Sequence, residues 1–439
     1  MADAAARLTK LAEEVLGAGL PVRIRAWDRS ESGPPGAPTL VIRNRRALRR
    51  LLFKPGELGL ARAWVAGDID IDGDLYEALD LLAGLIWERP AAPGRPQPAA
   101  VLRSLARPEI RAAAKELLFL AGAPVPPAPP AEEARKRRGP LHTLLRDKDA
   151  ISHHYDVGND FYELVLGPSM VYSCAYWGTD EGGAATLEDA QRDKLDLICR
   201  KLGLEEGRRL LDVGCGWGSM VLHAAREYGV RAVGITLSEE QAAYARKRIA
   251  DAGLADRVEI RVQDYREIKD EPFDAISSIG MAEHVGQAQY AEYASALYAL
   301  LRPGGRLLNH QIARRPLPDE EAYRVDEFID RYVFPDGELA PVGRTTGALE
   351  DAGFEVRDVE VIREHYALTL RRWVANLEKH WDRAVRLTSP GRARVWRLYM
   401  AASALSFERN RIGVNQVLAV RTPDSGASGM PLRARAWQG

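Results

Sequence analysis

Hydrophobic and polar positions follow a repeating order in the second half of the chain. Short apolar runs alternate with amphipathic segments of helical period, and the runs lie at residues 209–213, 232–236, 258–262, 273–279 and 306–312. Helices are predicted to begin between them, near residues 218, 238 and 290. Strands that alternate with helices of this length indicate a parallel, doubly wound α/β sheet.

The pattern outside this region predicts a smaller unit at the start and helices at the end. In the first 120 residues, an apolar helical face at 8–16 precedes short strands at 22–27 and 39–43, and helices are predicted at 46–66, 74–87 and 99–121. After the sheet we expect a mostly helical segment at 316–351, a strand at 354–362 and long helices at 368–388 and 391–410. The last residues, 424–439, are expected to form a loose tail.

Proline marks the boundary between the two parts. Of 26 prolines, 11 lie between Pro90 and Pro140, and residues 123–130 consist almost entirely of proline and alanine. Such a composition favours an extended linker, and four basic residues follow it at 135–138. We therefore predict a small α+β domain at 1–120, a Pro-rich basic linker at 121–140, a larger α/β domain at 141–423 and the tail.

Charge and cysteine content narrow the function. With 61 Lys and Arg against 62 Asp and Glu, the net charge of -1 argues against a bulk nucleic-acid binder, which needs an excess of positive charge. Three cysteines, Cys174, Cys199 and Cys215, cannot build a disulfide framework and are typical of a reducing cytosol. No apolar run is long enough to cross a bilayer, and the N-terminus lacks a signal peptide. We expect a cytoplasmic protein.

A glycine-rich string is the sharpest local motif. Leu211-Asp212-Val213-Gly214-Cys215-Gly216-Trp217-Gly218 joins the first strand of the sheet to a helix, a place where open α/β sheets bind ligands. The alternative is a purely structural turn. The second strand ends in Thr236 rather than an acid, so that Thr236 and Gln241 would supply its polar contacts.

Further polar and aromatic residues follow the other strands. The third strand ends in Asp264 and Tyr265, which could hold an adenine, although Asp264 could instead cap the next turn. Glu283 follows the fourth strand and His310 lies near the end of the next. Cys174 stands in an aromatic string and would need an activating base to be a nucleophile; the alternative is an inert buried thiol.

Two apparent metal motifs are rejected. The adjacent histidines 153 and 154 have no spacing suited to one ion. Asp68, Asp70 and Asp72 resemble the start of a calcium loop, but the twelfth position is Leu79 where a glutamate is required. A solvated acidic turn is expected there instead.

Taken in order, these strings resemble the cyclopropane-fatty-acyl-phospholipid synthase family, whose members use S-adenosylmethionine (SAM). The resemblance extends over about residues 150–420 and, more weakly, over 58–72. Its matching strings are His154-Tyr155-Asp156, Asn159-Asp160, Tyr172-Ser173-Cys174-Ala175-Tyr176-Trp177, the glycine-rich string, Thr236-Leu237-Ser238, Gln263-Asp264-Tyr265-Arg266 and Glu283-His284-Val285-Gly286.

The resemblance implies a fold and two bound molecules. The fold would be a Rossmann-like SAM methyltransferase domain with helical insertions, beside the small α+β domain. By resemblance, SAM would be held by Tyr172, Ser173, Asp212, Gly214, Gly216, Gly218, Thr236, Leu237, Gln241, Asp264 and Tyr265. Bicarbonate, the catalytic base of the family, would be held by Cys174, Glu283, His310, Ile312 and Tyr366. No metal is implied.

The activity implied is transfer of the SAM methyl carbon to a cis double bond of a phospholipid-bound acyl chain. Deprotonation of the resulting carbocation by bicarbonate would give a cyclopropane. Glu283 would accept hydrogen bonds from bicarbonate, and His310 and Tyr366 would donate to it. Aromatic faces would stabilise the cation in a dry site, and the rings considered are Tyr172, Tyr176, Trp177, Tyr332 and Phe334.

Three alternatives stay open on sequence grounds. A related enzyme would perform the same first step but leave a 10-methylene branch, on the route to 10-methyl lipids. A lipid-binding scaffold without catalysis and a methyltransferase for small soluble molecules are the others. The expected partners are an unsaturated phospholipid and the inner membrane surface, which the basic residues 135–138 could contact. A homodimer is possible, and nucleic acid is not expected.

Overall fold

The computed structural model describes residues 3–87, 108–122, 125–134, 157–178, 186–433 and 435. Two compact units are formed. The first comprises Met1–Lys136, Glu321–Val333 and Ser389–Leu405, and the second comprises Arg137–Glu320, Phe334–Thr388 and Ser406–Gly439. The basic residues 135–138 and the string at 153–156 lie outside the described residues.

Short helices and a small sheet begin the chain. In order, they are α1 (Ala4–Leu16), β1 (Arg23–Arg25), β2 (Glu31–Ser32), β3 (Thr39–Ile42), α2 (Arg46–Phe53), α3 (Glu57–Val65), β4 (Ile69–Asp72), α4 (Leu75–Trp87) and α5 (Pro108–Ala121). The strand order is β2-β1-β3-β4, with β1 parallel to β3 and the other pairs antiparallel. Apolar residues of α1, α2 and the strands, among them Leu8, Ile24 and Leu48, form the core of this part.

The acidic string at Asp68 was wrongly expected to be a solvated turn. Asp68 is fully buried, and its carboxylate accepts hydrogen bonds from Arg50 at 2.8 Å and from the Asn44 side chain at 2.9 Å. Asp70 and Asp72 belong to β4, which pairs with β3. The buried cation explains the difference, since it removes the cost of burying the carboxylate.

The rest of the described chain forms a seven-stranded sheet, with helices on both of its faces, and further helices. Its first elements are α6 (Asn159–Leu166), α7 (Leu187–Leu202), β5 (Arg209–Val213), α8 (Ser219–Tyr228), β6 (Arg231–Thr236), α9 (Glu239–Asp251), β7 (Val258–Val262) and β8 (Phe273–Ile279). The later ones are α10 (Tyr290–Leu300), β9 (Leu301–Arg314), α11 (Glu327–Tyr332), α12 (Val342–Asp351), β10 (Glu355–Val361), α13 (Arg363–Lys379), α14 (Trp381–Leu387), α15 (Pro390–Glu408) and β11 (Ile412–Val420).

The strand order is β10-β11-β9-β8-β5-β6-β7. The pairs from β9 to β7 are parallel, whereas β11 runs antiparallel to both β9 and β10. Leu210 packs with α7, α8 and α9 on one face of the sheet, and Leu211 and Val213 pack with α10 on the other. This confirms the predicted doubly wound α/β sheet, and it places the carboxyl ends of β5, β6, β7 and β8 along one edge.

Two elements near the C-terminus differ from the predictions. The sequence pattern gave no strand after residue 410, yet β11 occupies the position between β9 and β10. Its buried polar residues Asn415 and Gln416 interrupt the apolar run, which hid the strand. The segment predicted as helical at 316–351 forms only a short 3-10 turn at Glu320–Ala322 and the helices α11 and α12.

The two units do not follow the predicted domain limits throughout. Glu321–Val333 and Ser389–Leu405 belong to the first unit, although they lie within the predicted catalytic range of 141–423. The buried carboxylate of Glu133 explains part of this, because it accepts hydrogen bonds from Arg62 at 2.6 Å, Arg331 at 2.8 Å and Tyr332 at 3.1 Å. Whether the predicted limits bound separately folding domains stays a prediction. Within the described residues, no helix has the length and apolar character to cross a membrane.

Candidate functional site

The glycine-rich turn lies where β5 ends and α8 begins. The backbone N–H groups of Gly214 and Cys215 both donate to the carbonyl of Ile235, at 3.0 and 2.8 Å, which ties the turn to β6. Gly214 has a φ of 81°, and a Cβ there would lie 3.0 Å from the side chain of Met281. A Cβ on Gly216 would meet only open space. Both glycines thus leave backbone exposed to a ligand.

A pocket opens beside this turn at the edge of the sheet. Seven of the eleven predicted SAM residues line it, and they are Gly214, Gly216, Thr236, Leu237, Gln241, Asp264 and Tyr265. Its other lining residues are Val213, Ile235, Gln263, Arg266, Gly280, Met281, His284 and Val285. The pocket therefore occupies the ligand position expected for an open α/β sheet.

Thr236 orients Gln241 at the rim of this pocket. The Thr236 hydroxyl accepts from the N–H of Ser238 at 3.2 Å and donates to the side-chain oxygen of Gln241 at 2.8 Å. The amide oxygen of Gln241 is thereby engaged, so its N–H₂ group is the part suited to a ligand oxygen. This pair replaces the acid that usually ends the second strand of a nucleotide site.

Asp264 has both of the roles considered from sequence. It caps the turn after β7 by accepting from the N–H of Arg266 at 2.9 Å, and it pairs with the Arg266 guanidinium at 2.8 Å. It also lines the pocket, next to Tyr265, over whose ring Arg266 lies at 5.2 Å. The pocket therefore has an aromatic face and an acceptor already held in place.

The other four, Tyr172, Ser173, Asp212 and Gly218, do not line the pocket. A Cβ at Gly218 would lie 2.9 Å from that of Ala245, so this glycine lets α8 pack closely against α9. Asp212 is 2% exposed, accepts a hydrogen bond from the Ser277 hydroxyl at 2.7 Å, and has its pKa raised to about 6 by burial. The Ser173 hydroxyl accepts from the buried ammonium of Lys194 at 2.8 Å.

Glu283 has one engaged and one unengaged carboxylate oxygen. Oε1 accepts from the backbone N–H of Ile312 at 2.7 Å, whereas Oε2 is buried without a hydrogen-bond partner. Burial raises the pKa of Glu283 to about 7, against the contribution of the Ile312 N–H, which lowers it. A buried acceptor in this state is suited to a ligand that donates a hydrogen bond.

His310 presents a second buried polar atom without a partner. Its Nε2 makes no hydrogen bond, while Nδ1 lies 3.3 Å from the side-chain nitrogen of Gln416. Burial, together with the positive charges of Lys194 and Lys201, holds the pKa of His310 well below its usual range. The imidazole is therefore neutral at physiological pH.

Contacts connect the five residues predicted for bicarbonate. His310 and Ile312 are two positions apart on β9, so their side chains lie on the same face of the strand. Ile312 pairs with Val414 on β11, and the Val414 carbonyl accepts from the N–H of Ile362 at 3.0 Å. The Cys174 thiol lies 3.6 Å from the Ile362 carbonyl, and Tyr366 follows one helical turn later on α13. The structure thus brings Cys174, Glu283, His310, Ile312 and Tyr366 to one end of β9 and β11.

Cys174 is not an activated nucleophile. It is fully buried, and burial raises the pKa of its thiol well above the ordinary value. A neutral thiol in this position can line a site but cannot attack a substrate. This agrees with the alternative of an inert buried cysteine.

Aromatic rings connect the glycine-rich turn with Tyr366. Ring centroids are 4.7 Å apart for Trp217 and Tyr162, 5.7 Å for Tyr162 and Tyr172, and 5.4 Å for Tyr172 and Trp373. The row continues from Trp373 to Tyr366 at 6.0 Å. We call these five rings the aromatic row. The row leads from Trp217 in the glycine-rich turn to Tyr366, one of the residues predicted for bicarbonate.

The other aromatics proposed to stabilise a cation have packing roles. Tyr176 stacks on His365 with centroids 4.7 Å apart, and the backbone N–H of Trp177 donates to the His365 ring at 2.8 Å. Phe334 contacts His284 edge to face at 5.7 Å. Tyr332 is in the first unit, bonded to Glu133 as described above.

Sequence reasoning missed the buried polar residues behind the site. Gln191, Lys194 and Lys201 lie on the buried face of α7, and Gln416 and Glu360 lie inside the sheet. A signal existed in α7, because these residues recur at helical spacing among Leu187, Ile198 and other apolar positions. Polar residues on an apolar stripe are costly unless paired, which indicates hidden partners.

The two predicted ligands can be tested against these groups. The glycine backbone, the donors of Gln241 and the ring of Tyr265 suit SAM. Glu283 Oε2 can accept a hydrogen bond and a neutral His310 can donate one, which suits a small anion that carries both oxygen acceptors and an O–H, such as bicarbonate. Within the described part of the chain, no cluster of three or more His, Cys, Asp or Glu residues could hold a metal ion.

Comparison with known sequences gives consistent matches. The family model described as mycolic acid cyclopropane synthetase matches residues 142–417. The chain is 46% identical over 424 residues to a probable fatty acid methyltransferase of Mycobacterium tuberculosis, covering 94% of each chain. It is 37% identical over 273 residues to the cyclopropane-fatty-acyl-phospholipid synthase of Escherichia coli, covering 62% of this chain and 68% of the relative.

Solved structures agree with the sequence matches. A mycolic acid cyclopropane synthase complexed with SAH and CTAB superimposes with a TM-score of 0.58 and 34% identity, covering 62% of this chain and 98% of that structure. The cyclopropane synthase MmaA2 from Mycobacterium tuberculosis also gives a TM-score of 0.58, at 32% identity over 64% of this chain.

Proposed function

We propose, from the premise that this chain belongs to the mycolic acid cyclopropane synthetase family of SAM-dependent lipid methyltransferases, that it acts on phospholipids. The reaction would add the methyl carbon of SAM to a cis double bond of an acyl chain and end in a cyclopropane. The single observation that supports this most is the pair of buried, unpartnered atoms, Glu283 Oε2 and His310 Nε2. A bound anion would give both atoms a hydrogen-bond partner, which the surrounding side chains do not.

Residues of the pocket would hold SAM, which supplies the methyl group, while bicarbonate supplies the base. Gly214 and Gly216 leave room for the cofactor, Gln241 offers N–H donors, and Asp264 with Tyr265 suits an adenine. The family relative whose structure is described as a complex with SAH supports this assignment, because SAH is what SAM becomes after losing its methyl group.

The aromatic row would do two things during the reaction. Its rings exclude water from the acyl chain, which protects a positive charge from hydration. Their π faces also stabilise that charge electrostatically. An alkene is a weak nucleophile, so the main contribution of the protein is to position the acyl chain close to the pocket.

Five residues would hold bicarbonate beside the acyl chain. Glu283 accepts from its O–H, His310 and Tyr366 donate to its oxygens, and Cys174 and Ile312 complete the enclosure. Glu283 is a positioning group and not the base. All five lie in the second unit.

The test uses phospholipid vesicles with oleoyl chains and SAM labelled in its methyl group. The expected product is an acyl chain that is one labelled CH₂ heavier and that resists mild hydrogenation, as a cyclopropane does. Uptake of hydrogen would instead identify the methylene product. Glu283→Gln should lower turnover by roughly a hundredfold, while Glu292→Gln, an exposed residue of α10, should not.

Two other outcomes would overturn the proposal. Failure to bind SAM in calorimetry would indicate a lipid-binding scaffold without catalysis. Activity on soluble acceptors in the absence of vesicles would indicate a small-molecule methyltransferase. Omission of bicarbonate from degassed buffer should reduce the rate, and a rate that stays unchanged would remove bicarbonate from the proposal.

We also propose that the protein works in the cytoplasm at the inner membrane surface. The basic residues 135–138 give local positive charge within a chain whose net charge is -1, and anionic headgroups attract such clusters. Charge reversal of all four residues should weaken binding to anionic vesicles and leave binding to neutral vesicles unchanged. Indifference to the reversal would contradict this. A homodimer, if formed, would appear in sedimentation.

A further inference from the structure

Lys201 is a fully buried cation in the middle of the second unit. It lies on α7, and its ammonium pairs with the carboxylate of Glu360 on β10. The same ammonium donates to the side-chain oxygen of Gln416 on β11 at 2.8 Å. Asp358 lies 3.8 Å away and is itself paired with Arg435. Burial lowers the pKa of Lys201 while the hydrogen bond and charge of Glu360 raise it, and as an ammonium in this ion pair Lys201 can only donate.

This contact fixes which way the Gln416 amide points. An ammonium needs an acceptor, so the amide oxygen must face Lys201 and the amide nitrogen must face the other neighbour. That neighbour is Nδ1 of His310, at 3.3 Å. Gln416 is completely buried, so no water competes for either end of its side chain.

The amide in turn fixes the proton of His310. The Gln416 nitrogen carries hydrogens and can only donate, so Nδ1 must accept and cannot hold a proton. A neutral imidazole then carries its proton on Nε2. An imidazolium would set an N–H against the N–H₂ of Gln416, and turning the amide would set that N–H₂ against the ammonium of Lys201.

We infer that Gln416 is a positioning residue, oriented by Lys201, that holds His310 as the neutral tautomer protonated at Nε2. Resting on the proposed function, this means that the buried edge of His310 presents an N–H donor to bicarbonate. The other tautomer would present a lone pair, which repels an anion. The hydrogen-bond series from Lys201 through Gln416 therefore decides whether His310 can hold the base.

The first experiment reads the tautomer directly. In protein labelled with ¹⁵N-histidine, the His310 resonances are assigned by their loss in His310→Gln. The expected spectrum at neutral pH shows a pyrrole-like Nε2 that bears hydrogen and a pyridine-like Nδ1. Protonation of Nδ1, or a doubly protonated ring, in the wild-type protein overturns the inference.

The second experiment inverts the contact. Gln416→Glu keeps the shape but replaces the N–H₂ donor by an acceptor, so we expect a hydrogen to appear on Nδ1 in the same spectrum. Gln416→Met removes the contact and should leave a mixture of tautomers. Resonances that are unchanged in both variants overturn the inference.

Gln311→Glu is the matched control. It also places a carboxylate in a buried position of the sheet, but Gln311 bonds to Tyr290 and Thr345 rather than to His310. It should leave the His310 resonances as in the wild-type protein. A change in that variant equal to the change in Gln416→Glu would show a general response of the core and overturn the inference.

Kinetics connect the tautomer to bicarbonate. We expect Gln416→Glu to raise the KM for bicarbonate by about tenfold or more, because a hydrogen bond to a charged group is lost, with a smaller change in kcat at saturating bicarbonate. A fall in kcat alone overturns the positioning role. A wild-type enzyme that ignores bicarbonate but shows the expected tautomer would instead contradict the proposed function, so the two failures are distinguishable.

Discussion

The carboxylate of Glu283 and the imidazole of His310 are both buried, and burial shifts the pKa of each group toward favouring its neutral form. The pKa of the carboxyl group is raised to about 7, while that of the imidazole is held well below its usual range. Desolvation penalises the charged form of each group, which explains the opposite directions. Both groups can therefore serve as hydrogen-bonding partners in the site proposed for bicarbonate.

The raised pKa of Glu283 predicts a dependence of stability on pH. Between about pH 4.5 and 7 the folded chain retains a proton that the unfolded chain has released, so this contribution to the free energy of unfolding declines as pH rises. Each unit of pKa shift contributes about 1.4 kcal/mol. Glu283→Gln should remove the decline, measured as the difference between the urea-unfolding curves of variant and wild type across this range. A difference that stays constant with pH would contradict the buried, protonated state.

The cysteines give a second prediction at this scale. All three are buried, and burial raises the pKa of each thiol well above its ordinary value. Because the thiolate is the reactive form, a thiol reagent should label none of them rapidly in the folded protein and all three in denaturant. Rapid labelling of one thiol in native buffer would show that its site is open.

Among the elements, β11 lies inside the sheet that supports the site. It separates β9, which carries His310 and Ile312, from β10, which carries Glu360. It also supplies Gln416. The chain reaches this position only after α15. Residues 414–420, the last seven of β11, are buried. The final strand of the sequence therefore completes the interior of the sheet.

Leu418→Ala tests the burial of β11. Leu418 has no exposed surface, so truncation should cost about 2–5 kcal/mol of unfolding free energy, measured by chemical denaturation. Leu368→Ala is the matched control, because that leucine on α13 is 49% exposed. It should change stability by about 0.5 kcal/mol or less. Equal costs for the two changes would mean that β11 is not part of the core.

At the scale of the molecule, the pocket and the five residues proposed for bicarbonate lie in the second unit, while the first has a core of its own. In the first unit, the side chain of Glu133 is 2% exposed and pairs with Arg62 of α3 and with Arg331 of α11. These pairs attach the segment after the prolines to both helices. A buried carboxylate with several donors is costly to disturb, since its loss leaves buried cations unpaired.

Glu133→Gln should therefore destabilise the first unit by about 3 kcal/mol and leave SAM affinity unchanged. Limited proteolysis with mass mapping reads the first effect, and calorimetry with SAM reads the second. Lys54→Gln is the control, because it interrupts the more exposed pair with Glu327 and should have little effect. A fall in SAM affinity in Glu133→Gln alone would show that the pocket depends on the first unit.

The order of strands and motifs was accessible from the sequence because each signal is local. The strands at 209–213, 258–262 and 273–279 have the bounds that their apolar runs predicted. The glycine-rich turn, Thr236, Gln241 and Asp264 each follow a predicted strand, so parallel strands necessarily bring them to one edge. Of the five residues predicted for bicarbonate, His310 and Ile312 lie near one another because β9 carries both, and the backbone N–H of Ile312 donates to Glu283.

Tertiary structure alone decided the roles of the buried polar residues. In sequence, Gln416 breaks an apolar run and Lys201 breaks an apolar stripe, and both look unfavourable for burial. The two residues contact each other although they lie 215 positions apart along the chain, and no local pattern records such a contact. The sequence by itself determined the parallel strands of the sheet and the glycine-rich turn at their edge, but it did not reveal β11. Only packing, which removes water and places Gln416 between Lys201 and His310, determined how His310 is held.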